Sequence, residues 1–265
     1  MKKFDIAVAY RIYPGIGKPL AIYNNDKFKL VKLAFNSFLN ALGGVNVSLY
    51  LILDSCPSIY KEMLLSFFQK AKVIEVSQAG NSKTFEIQME LLLEQQDSNL
   101  VYFAEDDYFY LPNAFETTLD FFLQNSPNFL TLYYHPDYLN WEVHNLGKHN
   151  KIYSNNQQWE QVGSTTLTFL TTKATLSKAK KVFSTFSKKN YDASIWFALT
   201  KLGIATPKFY SLPLTSNKGA FYFKLLAKMW YYSWWQIIFG EKYTLFAPNP
   251  SLATHLERDS LAPNV

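Results

Sequence analysis

The sequence predicts an α/β fold in which a mostly parallel central sheet is flanked by helices. Three observations carry this. Strand-like and helix-like segments alternate through residues 4–104. The strands are apolar throughout instead of alternating apolar and polar, which suits a parallel sheet covered on both faces. Turn and cap residues stand where strand period gives way to helix period.

The elements follow in order. Residues 4–13 (FDIAVAYRIY) read as a strand, 27–42 as an amphipathic helix ended by Gly43-Gly44, and 45–53 (VNVSLYLIL) as a second strand, together a β-α-β unit. A helix over 58–69 starts on a serine, a short strand covers 73–76, a third helix 85–95, and a strand 100–104. Beyond this the pattern loosens. A helix is expected over 112–123, with Pro112 early in the first turn, where its missing N–H costs least. Strands are expected at 129–134, 151–154 and 165–172 (TTLTFLTT), a basic helix over 174–186, and a helix over 193–202 between Asp192 and Gly203. No internal repeat or Pro/Ser-rich linker separates the halves, so one domain over 1–265 is expected, with lobes at 1–110 and 111–265.

Composition narrows the setting. With 48% hydrophobic and 17% aromatic residues and only 10 Gly and 11 Pro, the chain is neither disordered nor fibrous. The net charge of +5 favours phosphates or an anionic membrane face. The basic residues form no long run and no nucleic-acid module is present, so DNA and RNA are not expected partners. Cys56 is the sole cysteine, which rules out an intrachain disulfide and fits a reducing cytoplasm. The first residues lead straight into a strand without the pattern of a signal peptide, so secretion is not expected.

The chain puts its densest negative charge, Glu105-Asp106-Asp107, inside an aromatic run, VYFAEDDYFY. The triplet follows a strand of the parallel sheet, at the end where open α/β sheets bind ligands. Three adjacent carboxylates repel one another, and hard oxygen donors suit Mg²⁺ or Mn²⁺, so a cation bridging to phosphate oxygens would relieve the repulsion. A solvated acidic turn is the alternative.

An apolar strand ending at Asp54, a Gly80-Asn81-Ser82-Lys83 turn before a helix, and a strand ending in the acidic triplet resemble a GT-A glycosyltransferase of the family 2 kind, over about residues 1–200. The resemblance implies a nucleotide-sugar-binding lobe at 1–110 and an acceptor lobe with a C-terminal tail at 111–265. It implies that Asp106 meets the ribose or the metal and that Asp107 coordinates the metal on the donor diphosphate. Glu105 stands where the family has the first aspartate of the motif. Arg11, Tyr13 and Asp54 fall where the family cradles the nucleotide, although the Asp-Gly-Ser extension is replaced by Asp54-Ser55-Cys56. Asn81 and Lys83 would approach the diphosphate, or belong to a plain loop and helix start. Asp192 matches the family's catalytic acid in rank order, as the base of an inverting transfer, and is equally suited to cap a helix. His255 matches the late histidine that many such enzymes give to the metal. The tail over 248–263 would fold back over the sheet edge as a lid.

The implied activity is metal-dependent transfer of a sugar from a nucleotide-sugar to a hydroxyl on a glycan or lipid-linked acceptor, in polysaccharide biosynthesis. The same acidic cluster could serve a nucleotidyltransferase or a metal phosphohydrolase, and a non-catalytic membrane-surface protein is a third reading. The segment 221–239 (FYFKLLAKMWYYSWWQIIF) is long enough to test as a membrane span, but Lys224, Lys228 and Gln236 interrupt it. It reads as a buried helix or as one lying on the inner face of a membrane.

Overall fold

The computed structural model describes residues 4–263. Strands β1 (Ile6–Ile12), β2 (Val47–Asp54), β3 (Lys72–Val76) and β4 (Leu100–Glu105) run parallel in the order β3-β2-β1-β4. Helices α1 (Lys27–Ala41), α2 (Ser58–Phe67) and α3 (Gly80–Glu94) make the crossovers. Every residue of β1 and β2 is buried, as their unbroken apolar runs require. The pleat sends Ile6, Val8, Tyr10 and Ile12 to one face, against Val31, Phe35 and Phe38 of α1. Ala7 and Ala9 face the other side, against Phe85, Met89 and Leu92 of α3.

The second half extends the same sheet. Its elements are β5 (Tyr108–Tyr110), α4 (Ala114–Asn125), β6 (Phe129–Leu130), α5 (Asp137–Asn140), β7 (Lys151–Ser154), β8 (Gln157–Gln161), β9 (Leu170–Thr172), α6 (Lys173–Phe183), α7 (Asp192–Thr200), α8 (Pro207–Thr215), α9 (Gly219–Phe239), β10 (Leu245–Asn249) and β11 (Ala253–His255). The order continues β4-β9-β6-β10-β8-β7, giving nine strands in one sheet among the described residues. β9 is antiparallel to β4 and β6, β10 is parallel to β6, and β8 is antiparallel to both β10 and β7. The parallel set is therefore the N-terminal half, and both lobes share one sheet. β11 pairs antiparallel with β5 in a separate two-stranded ribbon.

Several expected boundaries change for local reasons. The third helix begins at Gly80 instead of 85, so the Gly80-Asn81-Ser82-Lys83 turn is helical. Asp54, at the end of β2, accepts the Ala79 and Gly80 amides at 3.1 and 2.7 Å and so caps the helix from a distant part of the chain. The helix expected from Pro112 starts at Ala114, because Asn113 takes a left-handed conformation ahead of it. The strand expected over 129–134 ends at Leu130, where the Thr131 hydroxyl accepts the Tyr133 amide at 3.2 Å and turns the chain out of the ladder. Of the strand expected over 165–172 only Leu170–Thr172 is laddered; Thr166 and Thr168 bond instead to Trp196 and Glu105. The helix expected over 221–239 spans Gly219–Phe239 and departs from helical geometry at Ser233. No helix among the described residues is long and apolar enough to cross a membrane.

Candidate active site

The C-terminal ends of β1, β2 and β4 open into a cleft of about 670 Å³. Each member of the acidic triplet meets a cation from a different element. Glu105 is salt-bridged to Arg11 of β1 and accepts the Thr168 hydroxyl at 2.6 Å. Asp106 is bridged at 2.8 Å by Lys27, the first residue of α1, and its other oxygen accepts the Tyr13 amide at 2.8 Å. Asp107 Oδ2 lies 3.2 Å from His255 Nε2, at the end of β11. The protein's own cations therefore relieve the repulsion that the sequence reading assigned to a metal. Asp106 has each oxygen engaged once, by Lys27 and by the Tyr13 amide, and lines the cleft.

Asp107 is the exception. Its Oδ1 is buried and has no hydrogen-bond partner. Asp107, His255 and Glu257 bring one donor atom each to within 4.8 Å of one another. A carboxylate pair with one imidazole suits a divalent ion such as Mn²⁺ or Mg²⁺, and the unpartnered oxygen is what such an ion would satisfy. Burial raises the Asp107 carboxyl, but attraction to His255, Lys27 and Arg11 outweighs it and holds the group below its ordinary range. Burial lowers His255, and the Asp107 and Glu257 carboxylates more than reverse this. Lys27 is raised above its ordinary value, with Asp106 and Asp107 overcoming its burial. Asp106 is held above the carboxylate range by burial, then by Asp107, against the pull of Lys27.

The tail lies where the lid was expected, but as part of the fold. Beyond the β5–β11 ribbon, the Leu256 amide donates to the Asp107 carbonyl at 2.7 Å, and the His255 ring stacks on Tyr108 at 4.6 Å. Glu257 is bridged by Lys18 at 2.8 Å, and the Arg258 amide donates to the Pro19 carbonyl at 3.1 Å, which clips the tail to the loop after β1.

Other expected donor contacts divide. Arg11 donates to the backbone carbonyl of Asn81 at 2.9 Å and to its side chain, tying β1 to α3 beneath the cleft. The ring of Tyr13 is exposed at the cleft mouth. Asp54 borders the cleft but is committed to its cap. Lys83 does not line the cleft: it pairs with Glu86 at 3.2 Å on the exposed side of α3, because Gly80-Asn81-Ser82-Lys83 winds as helix and rotates residue 83 away.

Asp192 stands across the cleft from the triplet. It is the first residue of α7, with Tyr191 as the cap, so its expected N-cap role is not what the helix uses it for. Its Oδ1 accepts the adjacent Ala193 amide at 2.7 Å. Burial pushes the carboxyl up, and the charge on Glu105 adds to this against the Ala193 amide. A first-turn position alone would favour the ionised form; desolvation wins here. Asp192, with His135 and Thr166, also lines a second cavity of about 190 Å³ that adjoins the cleft, walled by Trp141, His144 and Phe221. Burial lowers His135 to about 4 and His144 to about 3, so both rings are neutral at pH 7. His135 Nδ1 accepts the Asp137 amide at 3.0 Å, which leaves its Nε2 carrying the proton.

Sequence reasoning missed Lys27, Lys18, Thr168 and Glu257 as members of the site; His135 and His144 lie in a polar, aromatic-rich segment that suits an acceptor loop. Lys27 had a legible signal: it falls on the same helical stripe as Leu30, Val31 and Ala34, all buried, where a lysine needs a buried partner. Glu257 stands two residues beyond His255. Thr168 carried no local signal.

No known protein family matches the sequence, and no curated protein matches it. Among the solved structures similar in fold are three with a TM-score of 0.43 each. A CMP:2-keto-3-deoxy-manno-octonic acid synthetase complexed with CTP is 11% identical, over 67% of this chain and 78% of that one. TarS of S. aureus is 10% identical, over 85% of this chain and 42% of its own. A 4-diphosphocytidyl-2C-methyl-D-erythritol synthase is 13% identical, over 86% of this chain and 100% of that one. At these scores the likeness says nothing of chemistry, which rests on the residues of the cleft.

Proposed function

We propose that the chain is a metal-dependent glycosyltransferase of GT-A type that moves a sugar from a nucleotide-sugar to a hydroxyl acceptor with inversion, in glycan or polysaccharide biosynthesis. The observation that carries this reading is the junction at Asp192 of a large cleft holding the acidic triplet and a smaller aromatic cavity. A transferase needs two substrate sites meeting at a proton acceptor; a hydrolase needs one.

Asp107, His255 and Glu257 would hold the divalent ion, which offsets charge on a leaving diphosphate when bound. Lys18 adds a second positive charge beside Glu257, and Tyr13 offers its exposed ring to the nucleotide at the cleft mouth. Asp192 takes the acceptor's hydroxyl proton. Its Oδ1 is fixed by the Ala193 amide, and its desolvated carboxyl is a stronger base than an exposed one. Neutral His135, shared by both cavities, donates from Nε2 to the acceptor oxygen and orients it. Trp141 and Phe221 supply flat apolar faces for a sugar ring of a glycan or lipid-linked acceptor.

Thermal shift with a panel of nucleotide-sugars, with and without Mn²⁺, is the direct test, since a ligand of the folded state raises its melting temperature by mass action. Parent protein should show a donor-selective, Mn²⁺-dependent rise, and Asp107→Asn should lose it while keeping its circular dichroism. Equal Mn²⁺-dependent donor binding by the variant would sink the assignment. Release of free sugar or phosphate without glycoside would replace transfer by hydrolysis.

A further inference from the structure

Charge is divided unevenly along the chain. Residues 161–240 hold 11 lysines and one acid, Asp192, a net +10, whereas the other 185 residues hold 15 basic and 20 acidic groups, a net −5. This segment builds α6 to α9, and Asp192 is turned into the cleft. The basic end of α6 meets the aromatics of α9. Lys181 Nζ lies 4.2 Å from the ring of Trp235, and the Tyr232 hydroxyl donates to the Lys188 carbonyl at 2.6 Å.

α9 has two apolar faces. Tyr222, Leu225 and Met229 are buried against the core. On the other side Phe223, Tyr231, Trp234, Ile238 and Phe239 are each half or more exposed, Tyr231 at 78% and Phe239 at 76%, and Leu214 of α8 is 90% exposed. Residues 223, 227, 231, 234 and 238 advance by three or four, so they form one stripe along the helix. An apolar stripe bare to water within the most basic segment of the chain, where among the described residues Lys178 alone is paired with an acid just beyond it, Glu241, marks an interaction surface.

We propose that this face docks onto an anionic lipid bilayer, with the α9 stripe and Leu214 entering the headgroup boundary and the surrounding lysines meeting lipid phosphates. Trp, Tyr and Lys are the residues favoured at that depth. A second copy of the chain would bring like charge against like charge. Nucleic acid is disfavoured because residues 161–240 contain no arginine to read bases or clamp phosphates bidentately. The docking is independent of the transfer reading. Its consequence for an acceptor rests on that reading: Phe221 and Leu225 of α9 also line the smaller cavity, so docking would bring the acceptor site to the bilayer surface, where a lipid-linked acceptor lies.

Co-sedimentation of the full chain with phosphatidylcholine vesicles, with and without phosphatidylglycerol, tests this at low and high salt. The parent should bind only the anionic vesicles, and salt should weaken binding. Two sets of exposed substitutions should each weaken partitioning at least about tenfold: W234Q with F239Q, which removes two large apolar side chains from the headgroup boundary, and K180E with K188E and K224E, since each lysine near the surface is worth roughly fivefold. Unchanged circular dichroism and an unchanged donor-induced thermal shift would separate lost docking from lost fold or lost transfer site. The proposal is overturned if the parent ignores anionic vesicles, binds neutral ones equally, or if both variant sets bind like the parent. It is also overturned if light scattering shows a parent dimer that W234Q with F239Q dissolves, or if a DNA duplex binds more tightly than the vesicles.

Discussion

Replacing Lys27 with methionine removes the ammonium that faces Asp106 at 2.8 Å, in a pair whose side chains are 9% and 8% exposed. Methionine keeps most of the volume at the foot of α1, so the packing of Leu30 and Val31 is preserved and the change is mainly electrostatic. Losing one partner of a buried pair costs about 3–5 kcal/mol, because the other charge stays desolvated and unpaired. Asp106 retains the Tyr13 amide, which favours the lower end, about 3 kcal/mol. For a domain of this size that corresponds to a melting temperature lower by roughly 6–12 °C. The loss should depend on pH with a definite sign. Burial and Asp107 already hold Asp106 above its ordinary range, and removing Lys27 raises it further. A carboxyl whose folded value exceeds its unfolded value stabilises the protein when protonated, and that stability fades as pH rises through the folded value. The variant should therefore fall furthest behind the parent at neutral pH and recover ground in mild acid. Thermal melting by circular dichroism across that range measures both effects, and K27M with D106N should melt above K27M alone, because no buried charge is left. A drop of less than about 2 °C at neutral pH would fall below the expected range and refute the claim that Lys27 balances the triplet; so would a double variant no better than the single one.

Asp192→Asn should reduce turnover roughly 10²–10⁴-fold, the usual worth of a positioned general base, with little change in donor affinity by thermal shift; near-normal turnover would leave Asp192 a first-turn residue only. At the far end of the sheet, Asp97 accepts Lys72 at 2.6 Å, Ser48 at 2.6 Å and Tyr50 at 2.9 Å, and these bonds, Lys72 foremost, hold it at about 2. A carboxyl held low in the fold stabilises it above the ordinary value, 3.8, and loses that contribution as pH falls toward 2. Asp97→Asn should thus melt below the parent at neutral pH, with the gap closing between those two values; a constant gap would show that the Asp97 charge is not what stabilises.

The parallel half of the fold was legible because β1, β2 and β4 are long, largely apolar runs and α1 carries a helical stripe, so local pattern and burial agree. The second half hid where they disagree. β8 reads QQWEQ, five residues with four polar side chains, yet Glu160 inside it is satisfied by Lys151, Tyr134 and Asn249 at 2.9 to 3.0 Å, partners that no local window contains. β10 carries Pro248, which argues against an inner strand on sequence grounds. The cleft was legible in outline for the same reason as the parallel half, since a strand end is a local feature. The roles of its members were not, because a carboxylate looks alike whether it caps a helix, as Asp54 does, or keeps an unpartnered oxygen, as Asp107 does.

The partners of the triplet also bear on how the site is assembled. Arg11 reaches Glu105 from β1, Lys27 reaches Asp106 from the start of α1, and His255 reaches Asp107 from the last strand of the chain. Three adjacent charges therefore draw in three separate parts of the molecule: the β1–β4 register sets Arg11 beside Glu105, and the β5–β11 register sets His255 beside Asp107. Glu105 and Asp106 end up fully matched by rigid neighbours. The Asp107 carboxylate is paired directly with His255 of the tail and has one oxygen left over. A cation held by Asp107 would sit at the point of the triplet whose direct partner comes from the C-terminal ribbon instead of the central sheet. An ion there would tie the C-terminal ribbon, through His255 and Glu257, to the turn by which the chain leaves β4.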